Sequence, residues 1–200
     1  AREGMAEESA TGERERGRGR AEIGMRLGGA GNAGNDPCGA GGGGHAGGMV
    51  RAIDHINIVV ADVERSVKFY TEVLGFTKTK EAQLEGGWID RIVGLRGVKG
   101  RVAYVVAPAG EPRIELLCYE APRGVVVAEN SRANTAGLRH IALRVDNMAA
   151  TVARLRAAGV TLFSEPVRVP GGVVRHEAGE KTLVYFLDPD GVILELAEYR

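Results

Sequence analysis

The sequence predicts an α+β fold, in which two βαβββ modules are paired around a pseudo-twofold axis and preceded by a disordered, glycine-rich tail. Two observations predict this fold. Composition divides the 200 residues, because 16 of the 30 glycines lie in residues 1–48 and the first aromatic residue is Phe69. After residue 48, one order of strand and helix signals occurs twice, which indicates an internal duplication. We therefore predict a tail over residues 1–48 and a folded domain over residues 49–200.

The tail carries charges of both signs but no apolar pattern. Arginine and glutamate alternate in Glu13-Arg14-Glu15-Arg16, and a glycine run follows at residues 39–48. So few apolar side chains cannot bury enough surface to offset the entropy lost when a chain becomes ordered. The alternating charges also argue against a nucleic-acid-binding arm and against a targeting peptide.

The first module is predicted over residues 51–120. Residues 53–60 are short, apolar and rich in β-branched side chains, which is typical of a strand. Asp62 is placed to cap a helix that runs through Leu74 with apolar residues at helical spacing, and Gly75 closes it. Two further strand-like runs follow, at residues 102–107 and 114–119.

The second module, over residues 138–200, has the same order of elements. A strand is predicted at residues 138–145, a helix capped by Asp146 or Asn147 follows, and Gly159 ends that helix. Strand-like runs lie at residues 183–187 and 194–196, on either side of the turn sequence Asp188-Pro189-Asp190-Gly191. Residues 121–137, which include a proline and two glycines, are the predicted linker.

Bulk charge and cysteine content exclude several classes of protein. Twenty-six basic and 26 acidic residues cancel, so no overall field favours nucleic acid or an anionic membrane as a partner. No apolar run approaches the roughly 20 residues that a bilayer-spanning helix needs. The chain has only two cysteines, which cannot form a disulfide framework, and we therefore expect a reduced, cytoplasmic protein.

Each module carries one histidine near its start and one glutamate near its end, and each of these residues interrupts an otherwise apolar strand. They are His55 and Glu115 in the first module, and His140 and Glu195 in the second. A glutamate is rarely buried unless it is paired or binds a metal. If the modules pack around a twofold axis, all four side chains can meet in one cavity. Two imidazoles and two carboxylates would then bind one divalent ion and leave two positions for substrate oxygens or water.

Two segments resemble a known family. The sequence from Phe69 to Phe76 (FYTEVLGF) and that from Asp188 to Leu196 (DPDGVILEL) are similar to those of the vicinal oxygen chelate superfamily, and the resemblance covers residues 51–200. This superfamily includes glyoxalase I, methylmalonyl-CoA epimerase, extradiol dioxygenases and bleomycin-resistance proteins. The resemblance implies one divalent metal ion (Ni, Co, Zn, Mn or Fe), held by the two histidines and two glutamates. It also implies a homodimer and a small substrate with adjacent oxygens.

Several activities fit this resemblance. The chain most resembles methylmalonyl-CoA epimerase-like and glyoxalase I-like members. The epimerase-like resemblance implies an epimerase acting on the carbon next to a thioester or carbonyl, with Glu195 and Glu115 as the catalytic bases. Lactoylglutathione lyase, the glyoxalase I reaction, is an alternative, because a glutamate at position 115 is the glyoxalase-like choice. An extradiol dioxygenase and a metal-free drug-binding protein are further alternatives.

Three residues are candidate substrate contacts. Because successive side chains of a strand alternate between its faces, Asn57 shares the face of His55 and Arg144 shares the face of His140. Trp88 lies in an insertion-like segment, residues 86–100, from which it could line the mouth of the pocket.

Overall fold

The structure is a computed structural model that describes residues 50–125, 127–172 and 177–200. One compact unit spans Gly48–Arg200. The predictions made for residues 1–48 lie outside the described residues. Within the described ranges, no helix has both the length and the apolar character needed to cross a membrane.

The first half of the compact unit forms a four-stranded mixed sheet with strand order β1-β4-β3-β2. Strands β1 and β4 run parallel, whereas β2, β3 and β4 are antiparallel neighbours. The elements are β1 (His55–Val59), α1 (Val63–Lys68), β2 (Thr77–Glu85), α2 (Gly87–Val93), β3 (Lys99–Ala107) and β4 (Gly110–Ala121).

The second half repeats this topology with strand order β5-β8-β7-β6, and β5 and β8 are again the parallel pair. Its elements are β5 (His140–Arg144), α3 (Met148–Ala157), β6 (Val167–Arg168), β7 (Lys181–Leu187) and β8 (Ile193–Tyr199). A 3₁₀ turn, Ala128–Ser131, lies in the connection between the halves. The predicted α+β fold with two βαβββ modules is therefore confirmed, with α2 as an extra helix in the insertion-like segment.

The helix ends follow the capping residues in the sequence. The Asp62 side chain accepts a hydrogen bond of 3.0 Å from the Arg65 backbone N–H, and Asn147 accepts one of 2.9 Å from Ala150. Gly75 adopts a positive φ of 79°, a conformation that favours glycine after a helix. The first helix differs from the prediction in one respect, because its second part, Phe69–Val73, is a π-helical turn.

One face of each sheet enters a shared hydrophobic core. Ile114 and Leu116 of β4 and Leu194 and Leu196 of β8 are buried in the same cluster, together with residues of both main helices. Glu115 and Glu195 lie between these leucine and isoleucine neighbours, so each glutamate projects from the opposite face of its strand. Each sheet therefore has a core face and a second face, called here the His–Glu face, that carries its histidine and its glutamate.

The turn before β8 joins the two halves. Asp190 accepts hydrogen bonds from the Ala61 backbone N–H (2.8 Å) and the Ser66 hydroxyl (2.9 Å), and it forms an ion pair with Arg65 (2.6 Å). Nearby, the hydroxyl of the fully buried Tyr70 donates to Asp188 at 3.2 Å. This turn therefore makes polar contacts with α1 and with the residues on either side of it, and Arg154 of α3 adds a contact with the Glu72 carbonyl.

Candidate metal centre

The first His–Glu pair is built by the parallel pairing of β1 and β4. In that register Asn57 lies opposite Glu115, and His55 lies two residues earlier on the same face. His55 Nε2 is 3.4 Å from Glu115 Oε2. The sheet thus brings together one imidazole and one carboxylate that are 60 positions apart in the chain.

Two neutral donors hold the Glu115 carboxylate. Asn57 Nδ2 donates to Oε2 at 2.8 Å, and the Tyr104 hydroxyl donates to Oε1. Burial, together with the neighbouring Glu115 carboxylate, raises the pKa of Tyr104 to about 12, so the hydroxyl keeps its proton and remains a donor at neutral pH. Glu115 is therefore fixed without a cation at either oxygen.

A second carboxylate orients His55 from behind. The Nδ1 atom of His55 lies 2.7 Å from Asp54 Oδ2, and Asp54 is in turn paired with Arg113 at 2.6 Å. The hydrogen bond to His55 and the charge of Arg113 lower the pKa of Asp54 against the opposing effect of desolvation. A carboxylate that accepts from one ring nitrogen leaves the other nitrogen, Nε2, free to bind a metal.

The second His–Glu pair has the same geometry but a different neighbour. His140 Nε2 is 3.4 Å from Glu195 Oε2, and the Glu195 side chain is only 3% exposed. Its other oxygen, Oε1, lies 2.5 Å from the Lys181 ammonium. A buried carboxylate needs such a partner, and here the partner is a cation.

The donor atoms of each pair fit a shared divalent ion. Two ligands that each lie about 2.1 Å from one ion, at angles between octahedral and tetrahedral, are separated by about 3.0–3.4 Å. The nitrogen and the oxygen of both pairs are 3.4 Å apart. Imidazole nitrogen with carboxylate oxygen is also a donor set that suits Zn, Ni, Co, Mn and Fe.

Within one chain, the four candidate ligands lie as two separate His–Glu pairs. Across residues 50–125, 127–172 and 177–200, no group of three or more His, Cys, Asp or Glu side chains could hold a metal ion. This corrects the expectation that all four meet in one cavity of a single chain. The physical reason is that the core faces of both sheets share one core, so both His–Glu faces lie on the sides turned away from it.

The candidate substrate contacts lie in different surroundings. Asn57 is placed beside Glu115, Arg144 lies on the second His–Glu face with its guanidinium over the Tyr199 ring, and Trp88 sits in α2 with 49% of its surface exposed. A cleft of about 840 Å³ runs between β1 and β5, the edge strands of the two sheets. Asn57 and His140 line it from opposite sides, whereas Trp88 does not line it.

Sequence reasoning missed Tyr104, Lys181 and Asp54 as parts of the site. Tyr104 lies opposite Glu115, and Tyr185 lies opposite Glu195, in the antiparallel registers of the two sheets. The two tyrosines occupy equivalent positions of the repeat, which could have indicated a role beside the glutamates, although packing in the interior is an equally simple reason for tyrosine at those positions. Nothing in the sequence indicates that Lys181 reaches Glu195, because that contact depends on the course of a long side chain along the sheet.

The chain matches one family model and is similar to solved structures. The family model described as Glyoxalase/Bleomycin resistance protein/Dioxygenase superfamily matches residues 52–196. A solved structure of a glyoxalase family protein from Bacillus cereus superposes with a TM-score of 0.65 at 27% identity, covering 78% of this chain and 98% of that one.

Three curated relatives are similar over most of their own length. The uncharacterized protein YaeR of Escherichia coli (strain K12) is 32% identical, over 74% of this chain and 97% of YaeR. A lactoylglutathione lyase of Salmonella typhimurium is 30% identical, over 73% of this chain and 91% of the lyase. A 2-epi-5-epi-valiolone epimerase of Actinomyces sp is 29% identical, over 72% and 78% respectively.

Proposed function

Because the chain belongs to the Glyoxalase/Bleomycin resistance protein/Dioxygenase superfamily, we propose that it is a divalent-metal-dependent epimerase. The proposed reaction removes and returns a proton on the carbon next to a thioester or carbonyl, as in methylmalonyl-CoA epimerase. The observation that carries this proposal is the pair of matching geometries, in which a histidine Nε2 lies 3.4 Å from a glutamate Oε2 at equivalent places of both modules.

His55, Glu115, His140 and Glu195 are the proposed ligands. A divalent ion bound there would supply Lewis-acid stabilisation of the negative charge that develops on two neighbouring substrate oxygens. The residues around the ligands fix their geometry in advance: Asp54 holds the His55 ring, and Asn57 and Tyr104 hold the Glu115 carboxylate. Because these side chains are already held in place, less free energy is needed to bring the ligands into the geometry that the reaction requires.

The two glutamates are the proposed proton-transfer groups. Each carboxylate belongs to a different module, so two bases can approach one carbon from opposite sides, and epimerisation needs removal on one face and return on the other. Glu195 is more deeply buried than Glu115, with 3% against 14% of the side chain exposed. Two carboxylates that differ in burial and in their neighbours are suited to different roles in proton transfer.

We propose that a second copy of the chain completes the ligand set. Each His–Glu face lies on the side of its sheet away from the core, and Val59, on the first of these faces, is 51% exposed. A symmetric dimer would set the His55–Glu115 pair of one copy against the His140–Glu195 pair of the other, twice. A dimer of this kind would explain how four residues that suit one metal ion can lie as two separate pairs within each chain.

Lactoylglutathione lyase activity is the second candidate. The glutamate at position 115 is the glyoxalase-like residue, and a relative that is 30% identical carries that name. The same two carboxylates would then move a proton between adjacent carbons.

The test combines metal content with isotope exchange. The full chain, purified without chelator, is expected to bind one divalent ion per chain. In deuterated water, methylmalonyl-CoA is expected to acquire deuterium at its α-carbon, read by mass spectrometry. Glu195→Gln should abolish the exchange, whereas Arg168→Gln, which alters an exposed ion pair with Glu180, should retain it.

Other outcomes identify the alternatives. Conversion of the hemithioacetal of methylglyoxal and glutathione, without exchange on the thioester, would favour the lyase. Oxygen consumption with a catechol would replace the proposal by an extradiol dioxygenase. Absence of any bound divalent ion, with no gain on adding one, would contradict metal-dependent catalysis and favour a small-molecule-binding protein.

A further inference from the structure

The two His–Glu faces can be compared position by position, because the strands of the modules pair in equivalent registers. Most counterparts are similar, including the histidines, the glutamates and the tyrosines that lie opposite them. Three positions differ in charge. Arg113, opposite His55 on the first face, corresponds to Ile193, opposite His140 on the second. Arg144 on β5 corresponds to Val59 on β1, and Lys181, which lies opposite Tyr199, corresponds to Gly100, which lies opposite Tyr119. The second face therefore carries two cations that the first lacks, whereas the first carries Arg113, whose charge is paired with Asp54 and Glu111.

Arg144 and Lys181 converge on one aromatic ring. The Arg144 guanidinium carbon lies 5.3 Å from the centre of the Tyr199 ring, and the Lys181 ammonium lies 5.9 Å from it. The two cations come from β5 and β7, on either side of β8, which carries both Tyr199 and Glu195. Stacking on an aromatic face leaves the hydrogen-bonding edge of a guanidinium available.

The charges of this cluster do not balance. Lys181 is paired with Glu195 at 2.5 Å and is mostly buried, with 15% of its side chain exposed. Arg144 is exposed, and within the part of the chain that the structure describes its guanidinium contacts the Tyr199 ring and forms no ion pair with a carboxylate. One carboxylate thus faces two cations, which leaves a positive excess immediately beside Glu195.

The difference between the two faces is built into the backbone. A Cβ atom added at Gly100 would lie 2.9 Å from the Cys118 carbonyl oxygen, closer than real Cβ contacts. On the first face, a side chain at this position would require the strands to shift, whereas the second face has Lys181 there. A duplicated site that keeps its ligands but has more cations than carboxylates on one side only is suited to an asymmetric substrate, with one charged end.

We propose that Arg144 and Lys181 form an anion subsite beside Glu195, which binds a carboxylate group of the substrate. This inference rests on the proposed function and deepens it, because it assigns the substrate a negative charge and places that charge at the second module. Arg144 supplies the two-pronged contact that suits a carboxylate, and Lys181 adds a nearby point charge. Neutral analogues of the same shape would leave Arg144 without an anionic partner.

The test measures binding of a simple dicarboxylate to the full chain after metal removal with a chelator. Glutarate is titrated into the protein by calorimetry, and glutaramide, its uncharged analogue, is titrated in parallel. Glutarate is expected to bind, and glutaramide is expected not to bind. Arg144→Gln should weaken glutarate binding by about tenfold or more, in line with the loss of a charge-assisted contact. Arg144→Lys should retain part of the affinity, and Arg168→Gln in the same module should bind as the wild type does.

Three results would overturn the subsite: no glutarate binding by the wild type, equal binding by Arg144→Gln, or equal binding of glutaramide. Circular dichroism of each variant checks that it is folded, and Arg144 is exposed, so its replacement does not disturb the core. Metal content of the same preparations before chelation separates this inference from the proposed function. Arg144-dependent glutarate binding by a protein that never binds metal would support the subsite and contradict metal-dependent catalysis. Metal binding by a protein that does not bind glutarate would support the metal site and contradict the subsite.

Discussion

Asn57 lies directly opposite Glu115 in the parallel pairing of β1 and β4, and its Nδ2 atom donates to the carboxylate at 2.8 Å. The equivalent residue of the second module is Ala142, opposite Glu195, which has no such donor. In that module the carboxylate contacts Lys181 instead. The duplication has therefore kept the two glutamates and changed what holds them.

Replacement of Asn57 by alanine tests whether this hydrogen bond positions a metal ligand. Loss of a group that orients a ligand typically costs about 10–100-fold in metal affinity, and we expect a loss in that range. Competition with a metal-binding dye gives the measurement. Ser164→Ala, which changes an exposed serine whose hydroxyl donates to the Glu165 carbonyl, serves as the control. Unchanged affinity in Asn57→Ala would mean that Glu115 is not a ligand or needs no support.

Mixing two inactive chains tests whether one site draws residues from two copies. We expect His55→Ala and His140→Ala each to lose bound metal, because each lacks one ligand at every site. In a mixed dimer, the intact first module of one chain meets the intact second module of the other. After joint unfolding and refolding, the mixture should regain roughly a quarter of the wild-type metal content, since half the dimers are mixed and each has one intact site. No recovery in a mixture shown to contain mixed dimers would place the site within one chain.

Replacement of Gly100 by alanine tests the close approach of β3 to β4. The new Cβ would meet the Cys118 carbonyl oxygen at 2.9 Å, so the strands must shift. We expect a loss of about 1–3 kcal/mol in the free energy of unfolding, measured by urea denaturation. Gly171→Ala is the matched control, because no atom lies within 4 Å of its added Cβ. Equal stability of the two variants would show that β3 adjusts without cost.

The pH dependence of stability should report on Asp188. Burial raises the pKa of this carboxyl, although its Oδ1 accepts hydrogen bonds from the backbone N–H groups of Val192 (2.8 Å) and Asp190 (2.9 Å). A carboxyl with a raised pKa in the folded state binds its proton more tightly than in the unfolded state. Its contribution to stability is therefore greatest at low pH and is lost as the pH rises from the ordinary value of about 4 through the raised value.

The comparison with Asp188→Asn isolates this contribution. Asparagine keeps one oxygen acceptor for the two backbone groups and can donate from its nitrogen to the Tyr70 hydroxyl, which now donates to Asp188 at 3.2 Å. We expect the free energy of unfolding of the wild type, minus that of the variant, to fall as the pH rises and then to level off. A difference that stays constant, or that rises with pH, would contradict the assignment.

Local patterns were sufficient to predict most of the secondary structure. Asp62 and Asn147 cap the helices because their side-chain oxygens reach backbone N–H groups within the first turn. The π-helical turn at Phe69–Val73 was not predictable, because its residues also suit an α-helix. Helix α2 was missed because Gly86-Gly87 reads as a turn, and the helix is only seven residues long.

Sequence patterns were sufficient to predict the duplication, the family and the four candidate ligands. The contacts of His55 with Glu115, and of His140 with Glu195, depend on the parallel register of strands that lie far apart in the chain, and spacing along the chain does not specify that register. Tertiary structure alone decided how the two pairs relate to each other, because that depends on which faces of the sheets share the core. It also decided the unequal environments of the two glutamates. The side chains that create this difference contact residues on neighbouring strands, as Tyr104, Lys181 and Arg144 do. Spacing along the chain does not specify where the end of such a long side chain lies.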